Sequence, residues 1–422
     1  MNKINSLKCS QPILGQLLSF IPRDLFKKSV EKYKADKWYK AVMSWDQFVF
    51  MMYGVLTGSS SIREIIKNFT LLGDKLVHCG VFAVPRRSSI SDANAKRDSN
   101  VFGHFYLSLY NYYKEYLSDS FLPYKVNGEV DPKQVEIFDS TTVSLFRDIF
   151  KACGRIPLDG RKKGGIKAFA KMTLAERVPN FIHLKSAATS EKVFLSFLDL
   201  AKGTIAVFDK GYHKFCKYAE WTAMGIFYVT QMNKNARFRI TKQHEIENAN
   251  EYGVMMDADI ELEYYDPKDK SKKLTTKARM VAYLDQEKNK KYYFLTNLFT
   301  LKAFTICMLY RNRWTIEPLF RQIKQNFELT YFLSNSEEGI KTQIWIAMVL
   351  NLIFTVLHKK IKEAEDFATM VKIAAKNTAS YISLEKFLKI ANEDLNEFLT
   401  DIRNTQLELF PENNKVDIEN ST

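Results

Sequence analysis

VEIFDSTTVSLF, residues 135–146, opens on a mostly apolar run from Val135 to Phe138 and places Asp139 directly behind it. The stretch reads as a buried β-strand, and its neighbours continue the pattern. KAFAKMTL (167–174) alternates like a second strand, and FIHL (181–184) supplies a third. SEKVFLSFLDLAKG (190–203) reads as a helix ended by Gly203, and TIAVFD (204–209) as a short, wholly apolar strand finishing on Asp209. HKFCKYAEWTAMG (213–225) is a further helix and IFYVTQ (226–231) a further strand. Three strands, helix, strand, helix, strand predict a mixed α/β sheet covered on both faces. Residues 232–300 interrupt this order with strand-like pieces, ARFRI, DIELEYY, ARMVAYLD and KKYYFLTNL, and a long helical region starts at Lys302.

Upstream, the chain is helical in pattern to about residue 125. Apolar positions recur at helical spacing in SWDQFVFMMYGVLTG, and Ser61 with Glu64 fits a capping box. In PRRSSISDANAKR, Ser88 or Ser89 is positioned to cap the next helix, flanked by Arg86, Arg87, Lys96 and Arg97. A helix start carrying serines and cations suits docking on DNA phosphates.

Composition agrees with such a partner. The 422 residues hold 62 Lys and Arg against 48 Asp and Glu, a formal charge of +14, and a folded basic surface binds phosphate polymers through counterion release. Cys9, Cys79, Cys153, Cys216 and Cys307 are scattered, with no paired spacing for a disulfide framework or a structural zinc site. They read as reduced thiols of a cytoplasmic protein. No charged-then-apolar leader opens the sequence. The most apolar stretch, 344–357, is broken by Asn351 and falls short of the roughly 20 residues of a membrane span. It reads as a core helix, and no membrane partner is expected.

Asp139 and Asp209 are both expected at carboxyl ends of buried strands, where ligands gather in open α/β sheets. If those strands are neighbours, two converging carboxylates call for a cation. LKAFTICMLYRNRWTIEPLFRQIKQNFEL (301–329) adds a third acid. Tyr310, Arg313, Glu317 and Lys324 recur at offsets that keep them within about 40° of one helical face, joined by Arg321. Pro318 complicates that face: either the helix kinks there, or a new helix begins and takes Tyr310 and Arg313 off it. We favour the kink. The segment 151–171 holds seven Lys or Arg, among them Arg161, Lys162 and Lys163, beside Gly160, Gly164 and Gly165. It reads as a DNA-contacting loop.

FDSTT, FDKGY and the frame Y-x2-R-x3-E-x6-K (Tyr310, Arg313, Glu317, Lys324) together resemble a DDE transposase of the insertion-sequence-four family. The GQLLSFIPRDLF and PRRSSISDANAKR segments are similar to the N-terminal region of one of its subgroups. The resemblance implies an α/β, ribonuclease-H-like catalytic core of the retroviral-integrase superfamily, with a β-rich insertion and an all-helical N-terminal domain. The expected boundaries are 1–125 for the helical DNA-binding domain, 126–231 for the first part of the core and 232–301 for the insertion. Residues 302–360 are expected to close the core with the glutamate helix, 361–410 to form a C-terminal helical region, and 411–422 a disordered tail.

The resemblance also implies the chemistry. Asp139, Asp209 and Glu317 would bind two Mg²⁺ or Mn²⁺ ions for in-line cleavage at the ends of an insertion sequence and strand transfer into a target. Tyr310, Arg313 and Lys324 would contact DNA near the element end, and Arg321, Arg86 and Arg87 are added to that surface. The implied partners are double-stranded DNA (terminal inverted repeats and target) and a second copy, as a homodimer assembled on DNA, at a bacterial nucleoid. Related enzymes stack a flipped base on a tryptophan of the insertion. This insertion has no tryptophan, which leaves Tyr292, Tyr293 or another aromatic to serve. Two other readings stay open: a metal-dependent nuclease of the same fold, and an inactive end-binding protein.

Overall fold

The computed structural model describes residues 10–118, 128–144, 165–246, 253–327, 329, 331–361 and 366–388. In chain order the first helices are α1 (Ile13–Leu18), α2 (Arg23–Tyr33), α3 (Ser44–Leu56), α4 (Ile62–Leu72), α5 (Arg87–Lys96) and α6 (Asn100–Leu117). Strands β1 (Val135–Ser144), β2 (Gly165–Thr173) and β3 (Pro179–Ser186) follow, then α7 (Glu191–Phe194), β4 (Ile205–Phe208), α8 (Phe215–Ala223) and β5 (Phe227–Gln231). Next come β6 (Phe238–Gln243), β7 (Val254–Tyr265), β8 (Lys273–Asp285) and β9 (Lys290–Thr296). The chain continues through α9 (Ala303–Asn312), α10 (Ile316–Asn326), α11 (Glu337–Lys360), α12 (Phe367–Lys376) and α13 (Leu384–Phe387). Two compact units result. One takes the described residues of Met1–Leu109, Asn326–Glu328 and Phe332–Thr422, the other those of Tyr110–Gln325 and Leu329–Tyr331.

The first unit is built around two helices with no solvent face. In α3, Phe48, Val49, Phe50, Met51 and Met52 are all fully buried. In α11 the apolar window is 89% buried, which makes it the core helix its sequence suggests. Gly103 lets α6 approach α11, since a Cβ there would lie 2.8 Å from the Trp345 ring. These contacts place α11 in the first unit, so the segment 302–360, expected to close the catalytic core, is divided between the two units. Two local expectations change. Helix α5 starts at Arg87 with Arg86 at its N-cap, so Ser88 and Ser89 lie inside the first turn and do not cap it. Arg97 is buried, its Nε donating to the Ala35 carbonyl at 3.0 Å and an Nη2 to the Val42 carbonyl at 2.8 Å. It is a core cation and not part of a DNA-facing rim. Arg86 and Arg87 are exposed.

The second unit is one nine-stranded sheet in the order β3-β2-β1-β4-β5-β9-β8-β7-β6. Strands β1, β4 and β5 run parallel, and β2 is antiparallel to both β1 and β3. This is the ribonuclease-H-like core. Residues 232–300 continue the same sheet, because β9 pairs antiparallel with β5 and β6–β8 extend from it. Side-chain alternation divides the two faces. Phe138, Phe208 and Tyr228 pack with Tyr218 and Trp221 of α8, while Asp139 and Phe294 turn to the face that carries Tyr310 and Arg313.

Two expectations are corrected here. The helix read over 190–203 is only Glu191–Phe194; the chain then leaves the helix, and Leu195, Leu198 and Leu200 are buried from the turn and the non-helical segment that follow. Asp139 lies within β1 and not at its carboxyl end: β2 goes on pairing with β1 as far as Ser144, opposite Gly165. What ends before Asp139 is the parallel pairing with β4, whose last rung joins Phe138 to Phe208.

Candidate active site

Because Phe138 and Phe208 are opposed, the next residue of each strand is an aspartate, with the strands about 4.8 Å apart. Asp139 Oδ1 accepts from the Ser140 amide at 2.7 Å and its Oδ2 from Arg313 Nη1 at 2.9 Å. Asp209 caps a short 3-10 turn, Oδ2 accepting from the Gly211 amide at 3.4 Å, and its Oδ1 accepts from the Tyr310 hydroxyl at 3.3 Å. Glu317 Oε1 lies 3.3 Å from Arg313 Nη2. One guanidinium therefore bridges two of the acids, and a neighbouring phenol holds the third.

Pro318 does not act through a kink. Helix α9 ends at Asn312, Arg313–Thr315 tightens to a 3-10 turn, and α10 begins at Ile316. Pro318 is the third residue of the new helix, where its missing N–H would have had no partner within the helix. Tyr310 and Arg313 stay at the site all the same, because Asn312, Arg313 and Ile316 keep right-handed helical dihedrals through the break.

Electrostatics follow burial. Burial pushes Asp139 up to about 6, opposed by Arg313 and the Ser140 amide and reinforced by Asp209 and Glu317. Arg313 loses solvation through burial, but Tyr310, Asp139, Asp209 and Glu317 outweigh that loss and hold its charge. Burial raises the Tyr310 phenol, which remains a neutral hydrogen-bond donor.

An open cleft is lined by Asp139, Ser140, Thr141, Glu317, Arg321 and Lys324, among others. Lys324 Nζ donates to the Thr142 carbonyl of β1 at 2.7 Å, and burial lowers its pKa. Arg321 is exposed on the cleft wall. Arg161, Lys162 and Lys163, like the tail 411–422, lie outside the described residues. Beyond the sequence reading, a second cavity adjoins Tyr310, lined by Tyr283, Tyr292, Phe294, Arg311 and Trp314. Trp314 is 43% exposed, with Lys288 Nζ 5.2 Å above its ring. The signal that could have found it is the tryptophan directly after Arg313, in the α9–α10 turn and not in the insertion.

Three carboxylates thus meet where the parallel pairing of β1 and β4 ends, with Arg321 and Lys324 along the adjoining cleft. The chain belongs to the family described as the transposase DDE domain, whose model matches residues 131–352. It is a DNA transposase. Residues 9–82 match a second model, a domain of unknown function (DUF4372). The chain is 26% identical over 275 residues to a protein of Sinorhizobium fredii described as transposase y4zB, covering 63% of this chain and 69% of that protein. It is 22% identical over 232 residues to one of Geobacillus stearothermophilus described as the transposase for insertion sequence element IS5377, covering 55% and 59%. A piggyBac transposase synaptic complex with hairpin DNA aligns over 99% of this chain and 87% of its own, at 11% identity and a TM-score of 0.41.

Proposed function

We propose that this transposase cleaves DNA at the ends of its own insertion sequence and joins the freed 3′-ends to a target, with Asp139, Asp209 and Glu317 as the metal-binding catalytic residues. The observation that carries the reading is that Arg313 spans Asp139 and Glu317 while Tyr310 holds Asp209, so one helix–turn–helix segment gathers all three acids.

Their oxygens are the hard donors that Mg²⁺ or Mn²⁺ prefers, and burial chiefly, with the like charges of Asp209 and Glu317 added, raises the pKa of Asp139. Asp139, Asp209 and Glu317 are the donor set that would hold such ions. When bound, divalent metal supplies activation of the attacking oxygen and neutralisation at the leaving 3′-oxygen. The rest falls to the chain. Tyr310 fixes the Asp209 carboxylate, and the Ser140 amide fixes Asp139. Arg321 and Lys324 offer cations to the backbone of a duplex lying in the cleft, and exposed Arg86 and Arg87 add phosphate contacts in the first unit. Arg161, Lys162 and Lys163 extend that basic surface in sequence. Trp314 and Tyr292 supply the aromatic platform for an unpaired base.

The Tyr310–Arg313–Glu317–Lys324 frame supports placement in the insertion-sequence-four family, with a homodimer assembled on paired ends at the nucleoid. A cleavage and strand-joining assay with Mg²⁺, on wild type and Asp139→Asn, tests the function. Cleavage and joining by wild type alone is expected. Cleavage without joining would indicate a nuclease, and DNA binding without any cleavage would overturn the enzymatic reading.

A further inference from the structure

Arg313 stands among the acids as a guest of the site. Its side chain is 5% exposed, and its guanidinium lies 2.9 Å from Asp139 and 3.3 Å from Glu317. Its Nε has no hydrogen-bond partner. The carboxylates are therefore its principal anchors, with the Tyr310 and Trp314 rings 5.6 and 4.9 Å away. Among the described residues, no group of three or more acidic, His or Cys side chains is spaced to hold a metal ion. The two observations explain each other. A guanidinium between Asp139 and Glu317 fills the position a cation bridging them would take, and neutralises part of the charge that would attract it.

We infer that Arg313 is a resident counter-ion, which occupies the cation position between Asp139 and Glu317 in the metal-free chain and is displaced when a divalent ion enters. The inference rests on the metal-ligand reading proposed above. Burying Asp139 beside Asp209 and Glu317 with no cation would leave like charges unscreened in a poorly solvated site. Arg313 removes that cost, and it also lowers apparent metal affinity, because only the fraction of molecules with Arg313 displaced is competent to bind. Displacement further accounts for how so buried a side chain becomes available to DNA phosphate. The guanidinium leaves its carboxylates only when another cation has taken them.

The test is a Mn²⁺ titration of the full-length, DNA-free protein, read by electron paramagnetic resonance of the free ion. Arg313→Gln and Arg313→Met, the second retaining the apolar length if the first does not fold, are expected to bind Mn²⁺ about tenfold more tightly than wild type, within the range usual for coupled sites. Binding equal to or weaker than wild type in the folded variants overturns the inference. Glu317→Gln separates the two levels of the reading. If it weakens Mn²⁺ binding while the Arg313 variants match wild type, only the counter-ion role fails. If neither wild type nor any variant binds Mn²⁺, the metal-ligand reading fails and the inference falls with it.

Discussion

Phe138 and Phe208 stack face to face across the last parallel rung of β1 and β4, ring centroids 4.7 Å apart and planes 11° apart. Each is followed by an acid, so this ring pair sets the spacing of Asp139 and Asp209 from beneath. Trp221 and Tyr212 close on it edge-on. Phe208→Ala is expected to destabilise the protein by about 3–5 kcal/mol, the usual cost of removing a buried ring. Urea unfolding measures it, and a loss under about 1 kcal/mol would mean the pair does not anchor the site.

A second support lies in the insertion. Arg279 of β8 is paired with Asp257 of β7 through Nε at 2.8 Å and Nη2 at 2.7 Å, both side chains 6% exposed. Its Nη1 also binds the carbonyls of Leu298 and Leu301, just before α9. Arg279→Ala strands a buried carboxylate and is expected to cost about 3–5 kcal/mol. Because it frees the start of the helix bearing Tyr310, activity should fall even at temperatures where the variant stays folded. Wild-type turnover in a folded Arg279→Ala protein would show that α9 is positioned by other contacts.

Much of this arrangement is legible in the sequence, and the limit has a physical cause. Apolar alternation reports burial, so the strands ahead of Asp139 and Asp209 can be read directly, and their juxtaposition follows once the two strands are neighbours. The Arg279–Asp257 pair depends on cross-strand register, which composition does not encode. The break at Arg313–Thr315 escapes a helical wheel, because a 3-10 turn and a kink project the same residues from sequence. The short α7 is overread because Phe194, Leu195 and Leu198 keep a helical apolar spacing although the helix itself stops at Phe194.

Metal affinity should depend on pH through Asp139, which burial chiefly, with Asp209 and Glu317, raises from an ordinary 3.8 to about 6. The native chain then binds more protons than the unfolded one between those values. The group's contribution to stability is full below the lower value and is lost as pH rises through the upper one. Metal requires the ionised carboxylate. Mn²⁺ affinity is therefore expected to be level above about pH 7 and to fall toward tenfold per unit below about 6. Calorimetry from pH 5 to 8 checks this, and a flat profile over that range would contradict it.

Trp314→Ala should leave the acids in place and remove the stacking surface beside Tyr310. Loss of one base–aromatic stack corresponds to about 1–3 kcal/mol. Fluorescence anisotropy should show weaker binding of a duplex carrying an unpaired base near its end, with little change for a fully paired duplex. Equal losses on both would make Trp314 a general packing residue.

Asp139 as a metal ligand is the centre of the account, and a change of donor atom tests it directly. In Asp139→Cys a soft sulfur replaces a hard oxygen, which Mg²⁺ accepts poorly and Mn²⁺ accepts better. DNA cleavage by this variant, measured with each ion in turn, is predicted to fail with Mg²⁺ and to recover at least in part with Mn²⁺. Cleavage with Mg²⁺ at the wild-type rate would contradict metal ligation by Asp139.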